Sequence, residues 1–290
     1  MKTSTRRLLC VGTGYSAKVI ARTLLAYDKP NRWEVYGSYR KQEQAKALSD
    51  IGIIPIEFNN LTNTLLSVDT ILSSIPPGRD GDPALKLYSD LLPRVIKNSW
   101  IGYFSTTGVY GDTKGLLVDE TAPLNPTSDR SRRRVAVESD WLQYGAHIFR
   151  LPGIYGQGRS SLDKLRNGLT RRIHRPNHLF SRIHVDDIAQ SVIASINQPN
   201  PGSVYNICDD EAAEQQLVEA YASELLGIKP PQLIPFKDGM KEMTPMALTF
   251  WQDNRRVSNA KMKSELGVKL LYPTFREGLK SLNQSSQRIN

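Results

Sequence analysis

The sequence predicts an α/β chain: a doubly wound parallel sheet followed by a smaller C-terminal lobe. Three observations carry this. Short apolar runs alternate with helix-period segments through the first 150 residues, which is the pattern of parallel strands joined by crossover helices. The first apolar run passes into a glycine-rich turn that opens a helix. After Pro152 the alternation breaks into a mixed pattern punctuated by prolines.

Residues 8–11 (Leu-Leu-Cys-Val) read as a buried strand. Ala17, Ile20, Ala21, Leu24 and Leu25 then recur at helical spacing, and Lys29-Pro30-Asn31 breaks that helix. Residues 33–39 form the second strand, 41–48 a helix, 53–58 the third strand and 68–75 the fourth, stopped by Pro76-Pro77. Residues 83–96 read as one helix, 100–104 as the fifth strand, 132–144 as a helix and 147–151 as the sixth strand. Beyond Pro152, residues 159–167 and 188–196 are expected to be helical and 203–207 a strand. Residues 215–226 form a helix with Leu217, Val218, Tyr221, Leu225 and Leu226 on one side. Lys229-Pro230-Pro231 and Leu271-Tyr272-Pro273 are joints, and the polar tail from Ser281 to Asn290 is expected to fray.

The turn after the first strand is Gly12-Thr13-Gly14-Tyr15-Ser16-Ala17, a G-x-G-x-x-A pattern with a strand before it and a helix after it. Gly12 permits the tight turn, Gly14 lets the backbone approach a pyrophosphate, and small Ala17 lets helix and strand pack closely. The helix start offers free N–H groups and a positive dipole end to phosphate. The chain is therefore expected to be of Rossmann type, binding a nicotinamide dinucleotide. Gly12→Asp is expected to abolish cofactor binding without unfolding the chain. Glu34 lies 20 residues after Gly14 but at the start of the second strand, far from the ligand edge, which instead holds Ser38, Tyr39, Arg40 and Lys41. Arg40 suits a 2′-phosphate, held bidentately, so NADP(H) is expected over NAD(H). Residues 1–150, joined again by 183–207, are expected to form the NAD(P)-binding domain. Residues 151–182 and 208–290 are expected to form the substrate lobe, closing over the carboxyl edge of the sheet.

The 290 residues suffice for one large domain or two smaller ones. Hydrophobic residues make up 39% and charged residues 23%, which excludes an intrinsically disordered chain. Thirty-eight basic against 29 acidic residues give a formal charge of +9, which suits an anionic small molecule and a basic enzyme surface. Cys10 and Cys208 sit in apolar, strand-like runs and read as buried thiols, so a reducing, cytoplasmic setting is expected. No run approaches the ~20 apolar residues of a membrane helix, so no membrane partner is expected. Four histidines and two cysteines show no ligand spacing, and no metal site is expected.

Ser105-Thr106-Thr107-Gly108-Val109-Tyr110-Gly111 resembles the S-S/T-x-x-V-Y-G segment of extended short-chain dehydrogenases/reductases, the NAD-dependent epimerase/dehydratase family. Further similarities follow in order. Pro126-Thr127-Ser128 and Glu138 frame that family's P-x-S-x-Y-x-x-x-K-x-x-x-E helix. Arg150-Leu151-Pro152-Gly153-Ile154-Tyr155-Gly156 resembles its R-x-x-x-x-Y-G segment. Arg182-Ile183-His184-Val185-Asp186-Asp187 resembles its H-V-D-D segment, and Tyr205-Asn206-Ile207 its late Y-N-I/V strand. The short glycine motif and Ser74-Ile75-Pro76-Pro77 are most similar to the atypical, YeeZ-like branch. The resemblance implies a cofactor site of Gly12, Gly14, Tyr15, Ser16, Ala17, Arg40, Lys41, Ser74, Pro76, Ser105 and Pro152. Thr106 matches the Ser/Thr that steadies a carbonyl oxygen.

The resemblance fails at two places. Counting back from Glu138, the family's Tyr and Lys positions hold Arg130 and Arg134. A guanidinium has no proton to exchange at working pH, so Arg130 cannot replace the phenol as a general acid/base. As an i, i+4 pair, Arg130 and Arg134 share a helix face and could grip a ribose, carboxylate or phosphate. The positions at which sugar-nucleotide 4,6-dehydratases carry Asp and Glu are Thr107 and Gly108 here, which removes that elimination chemistry. Tyr110 and Tyr155 remain as phenols that either reach a substrate or simply pack. Three readings follow. The first is an oxidoreductase or epimerase of a small or nucleotide-linked, anionic substrate, with Thr106, Tyr110, Arg130 and Arg134 as catalytic candidates. The second is a non-catalytic sensor of NADP(H) or a metabolite. The third is nucleic-acid binding through the basic runs at 130–134 and 171–175, and it ranks last because no nucleic-acid motif accompanies them.

Overall fold

The computed structural model describes residues 5–27, 33–97 and 99–287. The breaker expected at Lys29-Pro30-Asn31 lies outside the described residues. Seven parallel strands form the central sheet: β1 (Arg6–Val11), β2 (Trp33–Tyr39), β3 (Ile54–Glu57), β4 (Thr70–Ser73), β5 (Trp100–Thr106), β6 (His147–Leu151) and β7 (Val204–Asn206). Their spatial order is β7-β6-β5-β4-β1-β2-β3. The chain winds outward from β1 in one direction through β2 and β3, and in the other through β4 to β7. The order therefore reverses between β1 and β4, and a crevice opens there at the carboxyl ends of the strands. The sheet is a Rossmann-type doubly wound α/β sheet.

Both faces of the sheet are covered, so its strands are apolar on both sides. Along β1, Leu8 and Cys10 join one core with Phe149, Tyr205, Ile188 and Val192. Leu9 and Val11 face the other way, with Ile71, Tyr103, Val137 and Trp141. On the first face lie helices α1 (Tyr15–Tyr27) and α4 (Val185–Asn197), packed together. On the second lies α3 (Asp129–Leu142). α2 (Gln42–Ser49) follows β2, and Leu48 buries beside Val35. Both thiols, Cys10 and Cys208, are buried and free, and burial pushes the Cys10 thiol up to about 12.

Several boundaries differ from expectation for identifiable reasons. The single helix expected over 83–96 is two short ones, Pro83–Tyr88 and Leu92–Val95. Pro93 has no N–H to continue the first ladder and sits instead in the opening turn of the second. α3 starts three residues early because the Ser128 hydroxyl accepts from Ser131 N–H and caps it. The tail expected to fray is helical through Gln287: α7 (Phe275–Gln287) buries Phe275, Leu279 and Asn283, and Asn283 accepts from Arg166 and donates to the Leu225 carbonyl. Outside the central sheet the chain also forms α5 (Gln215–Leu225), α6 (Pro245–Gln252) and two-residue or three-residue strand pairs. Two of those pairs, Arg172–His174 with Leu233–Pro235 and Gly153–Tyr155 with Arg182–His184, join distant segments and had no expected counterpart. Among the described residues no helix is long and apolar enough to cross a membrane.

Candidate functional site

The glycine turn leaves β1 at the crevice. Gly12 has φ +87°, a conformation L side chains avoid, and a Cβ there would lie 2.6 Å from Ile75 Cγ1. Any side chain at Gly12 therefore disturbs the fold as well as the turn, which corrects the expectation that Gly12→Asp would act on binding alone. The turn is pinned from both sides: Gly12 N–H donates to Ser38 Oγ (2.7 Å), Ser74 Oγ donates to the Gly12 carbonyl (2.5 Å), and Thr13 Oγ1 donates to the Ser38 carbonyl (3.0 Å). Gly14 is different. No atom outside its own residue and its two chain neighbours lies within 4 Å of where its Cβ would stand. That open space is a groove of about 580 Å³, walled by Gly12, Thr13 and Gly14, by Ser38, Arg40 and Lys41 at the end of β2, and by Ser74 and Pro76 after β4.

The groove is basic. Lys18 on α1 joins Arg40 and Lys41 in its wall, against Glu43. The Arg40 guanidinium stands 4.5 Å above the Phe58 ring, while Gln44 Oε1 accepts from the Arg40 and Lys41 backbone N–H groups. Sequence reasoning missed Lys18, although it lies one turn inside the helix that the glycine motif opens. Glu34 is far away, pairing with Arg7 at the amino end of β1 (3.0 Å). Ser16 and Ala17 are buried under the turn. The Tyr15 side chain turns out of the groove, its hydroxyl donating to the Gln157 carbonyl at 3.0 Å, so Tyr15 does not line it.

A second cavity, about 430 Å³, opens where β5 and β6 meet the smaller lobe. Thr106, Thr107 and Pro152 form its sheet side. Its lobe side carries Lys164, Arg171, Arg182, Gln215 and Glu219, and its apolar wall includes Phe180, Phe250 and Trp251. Asp253 and Arg255 pair at 2.7 Å there, and Asp253 accepts from Thr127 Oγ1 at 2.8 Å. Thr106 Oγ1 accepts from Gly108 N–H and caps the turn that follows β5. Ser105 is buried with its hydroxyl unpartnered.

The remaining catalytic candidates are not brought to this cavity. Arg134 is buried, and its Nη1 donates to the Tyr103 hydroxyl (2.7 Å) and the Phe104 carbonyl (2.6 Å). Arg130 is exposed, 5.9 Å above the Phe250 ring. Tyr110 is buried; its hydroxyl donates to Asn206 Oδ1 (2.8 Å) and accepts from Arg150 Nη1 (2.8 Å). Burial raises the Tyr110 phenol, and it raises Tyr155, whose hydroxyl donates weakly to the Thr274 carbonyl at 3.4 Å. A Tyr110→Phe variant should lose about 1–3 kcal/mol of stability, because Arg150 and Asn206 keep buried polar atoms without their partner. Ligand binding in the groove should not change. Thermal denaturation beside a dinucleotide titration checks both, and a selective loss of binding would return Tyr110 to the site.

Other motifs are structural. Asp187, fully buried, accepts from the Leu271 and Tyr272 N–H groups and from Gln190, tying α4 to the Leu271-Tyr272-Pro273 joint; burial pushes its carboxyl up to about 6. The basic run at 171–175 is spent locally: Arg171 pairs with Glu242, Arg172 bonds Gln216, and Arg175 donates to the Trp251 carbonyl.

Fold and crevice define a class: a Rossmann-type α/β protein with the architecture of the NAD-dependent epimerases and dehydratases. No family model matches the chain. A functionally unknown conserved protein from Silicibacter pomeroyi DSS is 42% identical, with a TM-score of 0.90 over 98% of this chain and 100% of that one. The chain belongs to one family with that protein and is homologous to Protein YeeZ of Escherichia coli K12, 25% identical over 92% of this chain and 97% of YeeZ. A dTDP-glucose 4,6-dehydratase from Bacillus anthracis, determined in complex with NAD, shares the fold at a TM-score of 0.75 and 18% identity over 98% of this chain and 97% of that one.

Proposed function

We propose that the chain binds a nicotinamide dinucleotide, NADP(H) in preference to NAD(H), in the groove at Gly14, and that the cavity beyond Thr106 and Pro152 holds a small substrate. The observation that carries this is the open face of Gly14, where a backbone without Cβ borders a cation-lined groove at the reversal point of the sheet. The residues present fit the cofactor. Gly14 and the start of α1 would meet the pyrophosphate. Arg40, Lys41 and Lys18 would meet a 2′-phosphate or neighbouring phosphates. When bound, the nicotinamide supplies hydride transfer. The chain's own part is to hold it, to steady a substrate oxygen with Thr106, and to enclose the substrate between the sheet edge and the smaller lobe.

The NAD bound to the Bacillus anthracis relative supports the choice of cofactor class. The nucleotide-linked substrate named for that enzyme makes a similar substrate a candidate here, without its elimination step, since Thr107 and Gly108 are not carboxylates.

Titration of the purified protein with NADPH and NADH, followed by calorimetry or nicotinamide fluorescence, tests the reading. Micromolar binding, tighter for NADPH, is expected. Arg40→Ala should cost roughly tenfold in NADPH affinity and little for NADH, about 1.4 kcal/mol for one charge-assisted contact. Absence of binding by either dinucleotide overturns the groove; equal affinities overturn the NADP preference alone.

One observation favours a second reading, a binder without turnover. The position at which the resemblance places the proton-transferring Tyr holds Arg130, and Tyr110 and Tyr155 are buried in bonds to protein groups. NADPH binding with no consumption of NADPH across a panel of carbonyl substrates would support it.

A further inference from the structure

The second cavity contains one carboxyl group whose surroundings have no structural explanation. Glu219, on α5, is 5% exposed and lines the cavity. Its Oε1 accepts from Gln215 Nε2 at 3.0 Å, and Gln215 Oε1 in turn accepts from Arg182 Nη2 at 2.9 Å. Arg182 is itself anchored on the Phe180 and Ala213 carbonyls. The relay fixes the Gln215 amide and leaves Glu219 Oε2 with no partner. Thr170 Oγ1, in the wall of the same cavity, is also buried and unpartnered.

A buried polar atom left without a partner costs free energy, so two around one cavity mark where a ligand completes the bonding. Burial pushes the Glu219 carboxyl up to about 7, against the opposite pull of Gln215, Lys164, Arg182 and Arg172. The cations among them, Lys164, Arg182 and Arg172, repel a further positive charge brought to the spot. An uncharged donor is favoured over an ammonium group, and the Phe250 and Trp251 rings offer it an apolar wall.

We propose that Glu219 and Thr170 are the polar anchor of the substrate cavity and take hydrogen bonds from an uncharged, hydroxyl-bearing head group with an apolar face, with Gln215 and Arg182 as positioning residues. The proposal rests on the reading of this cavity as the substrate site.

The test uses trans-cyclohexane-1,2-diol and trans-2-aminocyclohexanol, which differ in one hydroxyl replaced by an amine. The full chain is labelled with 5-fluorotryptophan, and its Trp251 fluorine resonance, assigned with Trp251→Phe, reports occupancy. The diol is expected to shift that resonance saturably and to bind at least fivefold more tightly than the amine at pH 7. Glu219→Met should weaken the diol at least tenfold and Thr170→Val at least threefold, while the Glu219→Met melting temperature at pH 8 stays at or above that of the parent. No saturable shift, tighter binding of the amine, or unchanged diol affinity in both variants overturns the proposal. Should Glu219→Met fail to fold, Thr170→Val and the amine comparison still decide. NADPH titrated into the same samples separates the two readings, since loss of dinucleotide binding with intact diol binding overturns only the cofactor groove, and the reverse overturns only the anchor.

Discussion

Gly14→Asp should abolish NADPH binding, at least a hundredfold, and leave the melting temperature within a few degrees of the parent. The position allows both outcomes at once. No atom outside Gly14 and its two chain neighbours lies within 4 Å of the Cβ that aspartate would add, and Gly14 is not in the left-handed region of backbone space that favours glycine. The fold therefore has no reason to object. The groove does, because the new carboxylate would stand where the pyrophosphate must approach, at the amino end of α1, and like charges repel there. A hundredfold loss is about 2.7 kcal/mol, well within the cost of confronting two anions in a partly dehydrated groove. Gly12→Asp cannot make this separation, since φ +87° and Ile75 at 2.6 Å would unsettle β1 itself. The measurement is paired calorimetric titration and thermal denaturation of the two variants. Retained affinity in a folded Gly14→Asp protein would remove the glycine turn from any ligand site.

What the sequence made legible was local. Strand-turn-helix order, the glycine spacing and the cations at the end of β2 are short-range patterns, and they place the crevice and the first groove. The register of β1 with β2 pairs Leu8 with Val35 and Cys10 with Gly37, which brings Ser38 within reach of the Gly12 N–H. What stayed hidden depends on contacts between distant segments. Arg134 was placed by spacing on one helix face with Arg130, but spacing does not say which way a face turns. The first arginine opens to solvent beside Phe250, and the second reaches under β5 to the Phe104 carbonyl. Glu219 carried no motif at all. It becomes conspicuous only when α5 packs beside Arg172–His174 and brings Gln215 within reach of Arg182. The C-terminal segment looked like a fraying tail because its serine and amide content is high. Its buried Asn283 is satisfied by Arg166 and Leu225, partners more than fifty residues away, which no window along the chain can see.

The largest loss of stability should come from breaking the buried pair beneath the second cavity. Arg150, in β6, donates through Nε to both Glu138 carboxylate oxygens at 3.2 Å and through Nη2 to Oε2 at 2.8 Å. Both side chains are at most 5% exposed. The remaining Nη1 donates to Tyr110, whose ring lies 4.9 Å from the guanidinium carbon and whose hydroxyl continues to Asn206 in β7. Four elements are thus tied together directly behind the strand ends that present Thr106 and Pro152. Glu138→Ala strands a buried guanidinium and leaves a void, and should cost about 3–5 kcal/mol. At roughly 2–4 °C per kcal/mol for a chain of this size, the melting temperature should fall by about 6–20 °C. Much of that loss is the penalty on the abandoned charge rather than the worth of the pair, so the double variant Glu138→Met with Arg150→Leu should recover most of it. Melts of the single variants Glu138→Met and Arg150→Leu complete the cycle that gives the coupling, and a Glu138→Ala variant within about 1 kcal/mol of the parent would show the network to be dispensable. Dinucleotide affinity in the recovered double variant then decides what the network does. If affinity returns with stability, the network serves the fold alone. If stability returns without affinity, Arg150 and Tyr110 also hold the ends of β5 and β6 in the register that the site requires.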